Sequence, residues 1–516
     1  MMKHISPRHL IFGLLLAGLL TACKQKAVVP TESQPATAAL QMYPDYRDVT
    51  LPPNIAPLNF MVRNAADNYV ATFEAKGRQV VAGREDGKIE IDTTEWRALT
   101  RAARGGDIKV TVYAETNGTW QRYPEYKLHV AQEDIDPYLS YRLIEPGYEL
   151  YRQVGLYQRN LTNFQVQTIY ENNRAPKQED NHCVNCHNYQ NYSTARMLFH
   201  VRGNHGGTIL AENGKIRRLA MKGDSILGAA VYPSWHPTKN LLVFSTNQTG
   251  QVFHTLDKQK IEVIDEGSDL IFYDVDHNTL RNIIKTPNTL ENFPCWSPDG
   301  RKVYYCAGTL PELKTLPDSL HGKAIVNRYD SLRYNIMSID FDERTQTFSN
   351  PQLVVNCVAM HKSASVPRVS PDGRYLLFTL GDFGQFHIWH KSSDLYVKDL
   401  QTGRIYPLTE ANSPDVDSYH TWSSNGRWIV FSSRRDDGSY TRPYIAYFDR
   451  QGRAHRAFML PQEDPETNLL LMKSYNVPEL TKDAVRYSPD DFKEAVYGPD
   501  EPVRNEEKQP IRTEIP

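Results

Sequence analysis

Phe293-Pro294-Cys295-Trp296-Ser297-Pro298-Asp299-Gly300-Arg301-Lys302-Val303-Tyr304-Tyr305 is the stretch from which the fold is read. A short run enters a Ser-Pro-Asp-Gly turn and leaves as a second alternating run, which is the chemistry of a β-hairpin. The pattern recurs at irregular spacing. Pro233-Ser234-Trp235-His236-Pro237-Thr238-Lys239-Asn240-Leu241-Leu242 precedes it. Val366-Pro367-Arg368-Val369-Ser370-Pro371-Asp372-Gly373-Arg374 and His420-Thr421-Trp422-Ser423-Ser424-Asn425-Gly426-Arg427 follow it. Further strand pairs lie downstream, as in Asp394 to Leu408. A unit repeated in this way buries its face against the next copy, so the repeats predict propeller blades. Four openers are explicit, and a partial blade between Gly207 and Leu219 brings the expected count to five or six. The first opener departs from the pattern with His236 for serine, and the third has Val369 where tryptophan is expected.

The W-S-P-D-G opener with its D-x-x-x-G closing hairpin, Asp399 to Gly403, resembles the TolB-like β-propeller family over residues 207–465. That resemblance implies an envelope protein whose blades dock partners. Upstream, residues 44–132 hold short alternating segments, among them Leu58–Val62, Tyr69–Phe73, Ile108–Val112 and Tyr126–Val130. Gly, Asn and Asp separate them, which predicts a β-sandwich of immunoglobulin or fibronectin type. Thr93 to Leu99 reads as one helical turn within it. The fold class is therefore mainly β.

Asn181-His182-Cys183-Val184-Asn185-Cys186-His187 carries the chemistry. Two cysteines two residues apart with histidine next form the C-x-x-C-H signature of covalent haem attachment. Each thiol adds to one porphyrin vinyl group, and the adjacent imidazole is delivered to the iron. A disulfide, a thiol-redox pair or half a zinc site would use the same cysteines. No second C-x-x-C or His-x-x-x-His follows, and no thioredoxin-like βαβ pattern surrounds the motif. The expectation is one haem c, attached through Cys183 and Cys186, with His187 as iron ligand. Arg196-Met197-Leu198-Phe199-His200-Val201-Arg202-Gly203-Asn204-His205 supplies the candidate distal ligands, His205 or His200 first and Met197 third. Arg202 is the candidate propionate partner. Residues 133–206 are read as a haem segment, because tyrosines and arginines crowd the approach to the motif.

The amino terminus agrees with an extracytoplasmic cofactor. Lys3 and Arg8 flank an apolar run from Leu10 to Leu20, too short to span a bilayer, which reads as an export signal. Leu20-Thr21-Ala22-Cys23 resembles the lipobox of bacterial lipoproteins. The resemblance implies cleavage after residue 22, diacylation of Cys23, and, with Lys24 next, outer-membrane placement on the periplasmic side. Residues 23–43 read as a flexible tether, and 466–516 as a partly disordered extension. Lipobox, β-rich front, C-x-x-C-H and blades together resemble cytochrome-bearing lipoproteins of Bacteroides-like bacteria.

Lys and Arg number 59 against 61 Asp and Glu, so charge gives no reason to expect nucleic acid. Of the remaining cysteines, Cys295 and Cys306 lie on successive strands of one hairpin, as a bridge or as free thiols, and Cys357 is left over. Prolyl oligopeptidase relatives join similar propellers to a hydrolase, yet no G-x-S-x-G elbow occurs here. The expected function is a lipid-anchored monohaem electron carrier that docks a redox or envelope protein, and whether it also catalyses a reaction is left open. The alternative is an envelope interaction scaffold in which haem is structural or absent.

Overall fold

The structure is a computed structural model that describes residues 27–145, 153–174, 182–254 and 261–513. The export signal and Cys23 lie outside the described residues. Among the described residues no helix is long and apolar enough to cross a membrane.

The chain is mainly β, and among the described residues six sheets follow one another, each built on four antiparallel strands. Blade 2 comprises His182–Gln190, Ser193–Gly203, Gly207–Glu212 and Lys215–Ala220. Blade 3 comprises Ala230–Trp235, Leu241–Phe253, Ile261–Asp274 and Thr279–Ile284. Blade 4 is Leu290–Trp296, Lys302–Gly308, Tyr334–Asp342 and Thr347–Val355. Blade 5 is Ser363–Val369, Tyr375–Gly381, Asp394–Asp399 and Ile405–Pro407. Blade 6 is Asp417–Trp422, Trp428–Ser433, Arg442–Tyr447 and Phe458–Met459. Blade 1 is composite. Ser474–Thr481, from the carboxy-terminal part, is its inner strand and pairs with Tyr138–Ile144, followed by Gly155–Asn160 and Val166–Glu171. Successive inner strands pack against each other, and Ser474–Thr481 touches those of both blade 6 and blade 2, so the ring closes with six blades.

Three expectations are thereby corrected. Residues 27–43 of the expected tether join the amino-terminal sheets, through Gln34–Pro35 and Met42–Tyr43, with Leu40 and Met42 in the core. Residues 133–206 do not form a separate haem segment: they supply three strands of blade 1 and the first two of blade 2. Residues 466–516, expected as a partly disordered extension, pack on the propeller as far as residue 513. They carry the closing strand, and Glu501–Pro502 and Arg504–Asn505 then add parallel to the outer strands of blades 2 and 3. Closure by the far end of the chain pairs residues about as distant in sequence as the blades allow, which local pattern cannot reveal.

The opener turns explain why the motif repeats. Ser297 Oγ donates to Asp299 Oδ1 at 2.5 Å and accepts from Lys302 N at 3.0 Å, while Gly300 takes φ 71°. Ser370 with Asp372, and Ser423 with Asn425, repeat the arrangement. His236 replaces the serine of blade 3 functionally, since its Nδ1 accepts from the Thr238 and Lys239 amides at 3.3 and 3.1 Å. The opener tryptophans seal blade against blade: Trp296 packs edge-on against His236 at 4.8 Å, and Trp422 Nε1 donates to the Arg368 carbonyl at 3.1 Å.

The amino-terminal unit is a sandwich of a seven-stranded and a three-stranded sheet. Its helix, Thr93–Ala103, is longer than the single turn expected, because Asp92 caps the Thr94 and Glu95 amides and Trp96 and Leu99 are buried. The sandwich core runs into blade 6 through Trp428, Val430 and Ile445. Cys295, Cys306 and Cys357 are buried free thiols, so Cys295 and Cys306 are not bridged.

Candidate functional site

Every inner strand carries one non-glycine residue at positive φ: Cys186 (53°), Tyr232 (48°), Phe293 (52°), Val366 (52°), Tyr419 (48°) and Val477 (48°). The pairing register slips at each of these points, as in Asn185/Asn188 and Asn292/Cys295, so each strand holds a β-bulge at the same level. The next residue is Pro233, Pro294, Pro367 or Pro478 in four blades and His187 or His420 in the other two. Two residues further stand Tyr189, Trp235, Trp296, Val369, Trp422 and Leu480. Cys186-His187-Asn188-Tyr189 is thus the opener of blade 2 in disguise. The sequence signal was the Pro-x-Trp spacing, which becomes His187-Asn188-Tyr189 here.

The bulge residues converge on the axis. Tyr232 and Phe293 rings lie 4.3 Å apart, and Tyr419 adds an edge contact with Phe386 at 5.8 Å. Tyr232 of blade 3 and Tyr419 of blade 6 stand opposite in the ring, yet each perturbs the other, so both reach the channel. Cys186 lies among them, with Arg202, Arg142 and the Tyr232 backbone nearby. Burial pushes its thiol pKa up, although part of the residue remains accessible from the channel. A raised thiol is a poor nucleophile at neutral pH.

The other motif residues point elsewhere. Cys183 pairs with Arg202 and Asn185 with His200, which puts all four on the blade 3 side of the sheet. Asn185 Nδ2 lies 3.9 Å from Cys183 Sγ. His187 instead neighbours Arg142 and the Val477 backbone of blade 1, and Tyr189 at 6.1 Å between ring centroids. Its ring is 3% exposed, and neither nitrogen has a hydrogen-bond partner of normal geometry among the described residues. Burial, aided by the Arg142 charge, holds the imidazole neutral with a pKa lowered to about 3.

Haem c needs both thioethers and the imidazole around one porphyrin. As folded, Cys183 and His187 lie on opposite faces of one strand and Cys186 points to the axis between them, so the three do not fit that group. The distal candidates are scattered too. Met197 is fully buried on the blade 1 side with Phe199 and Val201, whereas His200 lies on the blade 3 side with its pKa lowered to about 3 by burial. His205 sits in the turn after Gly203 at φ 63°, with its ring 4.5 Å from Tyr497 and 6.5 Å from His182. Arg202 is exposed at the rim beside Cys183.

Sequence reading did not single out the polar cluster between blades 3, 4 and 5. Asp265, 1% exposed, accepts from Ser268 Oγ, Asn292 Nδ2, Asn247 Nδ2 and Tyr334 OH at 2.6, 2.9, 3.1 and 3.2 Å. Glu262 and His390 form a buried pair at 2.9 Å that ties the loop after Gly381 to the long hairpin of blade 3. The four donors satisfy the Asp265 carboxylate and tie blade 3 to blade 4. No group of three or more His, Cys, Asp or Glu able to hold a metal occurs among the described residues.

No family model and no curated protein matches the sequence. Among solved structures, the chain is similar to a prolyl endopeptidase at 12% identity and TM-score 0.33, covering 63% of this chain and 42% of that one. It is also similar to prolyl oligopeptidase B of Galerina marginata at 10% identity and TM-score 0.35, covering 60% and 41%. An oligogalacturonate lyase in complex with manganese matches at 10% identity and TM-score 0.30, covering 81% and 99%. The chain therefore spans less than half of either peptidase, and the six-bladed ring is drawn from its own strand pairing.

Proposed function

We propose that the chain is an envelope interaction protein, tethered through a lipid on Cys23 to the periplasmic face of a membrane, whose propeller docks a protein partner at its channel mouth. The observation that carries this reading is the placement of C-x-x-C-H as the inner strand of blade 2. The motif then serves the ring, and the surface left for function is the mouth, where the half-buried Tyr232 and Phe386 rings rest on the buried Phe293 and Tyr419. Aromatic side chains around a pocket are strong anchors for a partner.

The test is cross-linked capture from cells expressing the wild type, the Cys183→Ser/Cys186→Ser pair, and Tyr232→Ala/Phe386→Ala. The expected result is unchanged capture for the serine pair and loss for the aromatic pair. Capture that depends on the cysteines and ignores the aromatics would defeat the proposal.

The second reading is the monohaem electron carrier. It is favoured by one observation, the buried, neutral His187, whose ring nitrogens have no hydrogen bond of normal geometry among the described residues. A c-type haem would supply one-electron chemistry and would require His182–Gln190 to leave blade 2.

A further inference from the structure

The hydrophobic effect places Leu and Met inside and leaves polar groups in water. The segment joining blade 6 to the closing strand does the reverse. Leu469, Leu470 and Met472 are 47, 75 and 63% exposed, while Asn468 between them and Glu466 is 3% exposed. The backbone is held in this inverted state. Arg442, 1% exposed, donates to the carbonyls of Lys473, Asn468 and Leu471 at 2.6, 2.8 and 2.8 Å. Asn468 Nδ2 also lies 3.0 Å from Met459 Sδ, and Leu471 packs onto the shared core. A side chain buried to pin a loop that presents three apolar residues outward marks a contact surface.

Its position says what covers it. Lys88 pairs with Glu466 at 2.6 Å and with Asp464 at 2.9 Å, which fixes the segment against the edge of the sandwich. Arg84, close by, pairs with Glu90 at 2.7 Å, so the local acids and bases largely neutralise each other. Ala27 packs beside Gly83, the neighbour of Arg84: a Cβ built on Gly83 would stand 3.2 Å from the Ala27 Cβ. Val28 is 75% exposed at the same edge. Only Lys24, Gln25 and Lys26 separate Cys23 from Ala27, a reach of about 14 Å at full extension. A lipid on Cys23 would bring this edge to the bilayer.

We propose that Val28 and the Leu469–Met472 segment form a second membrane contact, an apolar tip that enters the headgroup region of the bilayer and fixes the tilt of the propeller above it. The occupant is lipid. The lipid on Cys23 holds the chain at one point and leaves the body free to tilt, and a small apolar insertion beside it makes the orientation definite. The proposal takes its orientation from the lipid-anchor reading of Cys23.

The test uses the full chain in phosphatidylcholine vesicles that carry a carbene-generating lipid, with labelled peptides mapped by mass spectrometry. Label on both the 23–28 and the 467–473 peptides is the expected result. Label confined to 23–28 overturns the second contact and leaves the anchor reading intact. Label on 467–473 with an unacylated Cys23, read from peptide mass, supports the contact and defeats the anchor reading. Vesicle flotation of the mature-length chain with Cys23→Ser gives the quantity. Leu470→Asp with Met472→Asp is expected to weaken flotation by at least about tenfold, with little dependence on salt because the contact is apolar. Equal flotation of both proteins, or binding abolished by salt alone, would overturn the proposal.

Discussion

Replacing Glu479 by glutamine probes the seam where the ring closes on the C-x-x-C-H strand. Glu479 belongs to the closing strand, and its Oε1 accepts from Asn188 Nδ2 at 3.0 Å and from the Tyr189 amide at 3.3 Å. Burial raises its pKa from 4.5 to about 8, against the opposing charge of Arg368 and these hydrogen bonds. The folded protein therefore holds the proton that the unfolded chain loses above pH 4.5. Stability from this group is complete below that value and falls as pH rises toward about 8, by about 1.4 kcal/mol per unit. At pH 7 the full cost is about 3 kcal/mol. The residue is half-buried, and solvent screening of its charge reduces this to about 2 kcal/mol. Glutamine keeps the acceptor oxygen and needs no proton. Glu479→Gln is expected to gain that amount at pH 7 and nothing at pH 4.5, read by urea denaturation and thermal midpoints at both pH values. A variant less stable at pH 7, or a gain equal at the two pH values, would refute the reasoning.

His187→Pro tests the repeat directly, because proline already follows the bulge in four blades. The variant is expected to fold with a loss of no more than about 2 kcal/mol, the packing of the lost ring, by circular dichroism and denaturation. Failure to fold would show that blade 2 does not share the opener geometry. Trp428→Ala empties a fully buried site in the core shared by sandwich and blade 6 and is expected to cost about 3–5 kcal/mol. A loss below about 1 kcal/mol would mean the two units do not share a core. Gly300→Ala would put a Cβ 2.2 Å from His236 Nε2, whereas Gly373→Ala meets nothing within 4 Å, both at positive φ. Strain alone costs about 1 kcal/mol, so the Gly300 variant is expected to be clearly the worse of the two. Equal losses would contradict the blade 3 to blade 4 contact.

The blades were legible because their turns are local chemistry: Ser297, Asp299 and Gly300 satisfy one another within four residues. So were the sandwich strands, whose alternation is local too. What stayed hidden depends on distance along the chain. Ser474–Thr481 pairs with Tyr138–Ile144 across more than three hundred residues, and no short window holds both. The place of the motif in the ring stayed hidden for a different reason. C-x-x-C-H is a pattern of identity, while the bulge is a pattern of backbone shape that tolerates Cys186, Tyr232, Phe293, Val366, Tyr419 or Val477. Two signals overlapped on one strand, and the chemical one was the louder. The apolar run Leu469 to Met472 was visible in the sequence, but its outward direction is set by the buried Arg442 and needed the fold.

The central claim is that Cys183 and Cys186 are blade residues, each with a free thiol. The chain matured in cells that carry the cytochrome c assembly machinery is to be denatured, alkylated and mapped by mass spectrometry, with its visible spectrum recorded beforehand. The account predicts no haem band, and alkylation of Cys183 and Cys186 alongside Cys295, Cys306 and Cys357. A haem spectrum that survives denaturation, with Cys183 and Cys186 both blocked to the reagent, would contradict it.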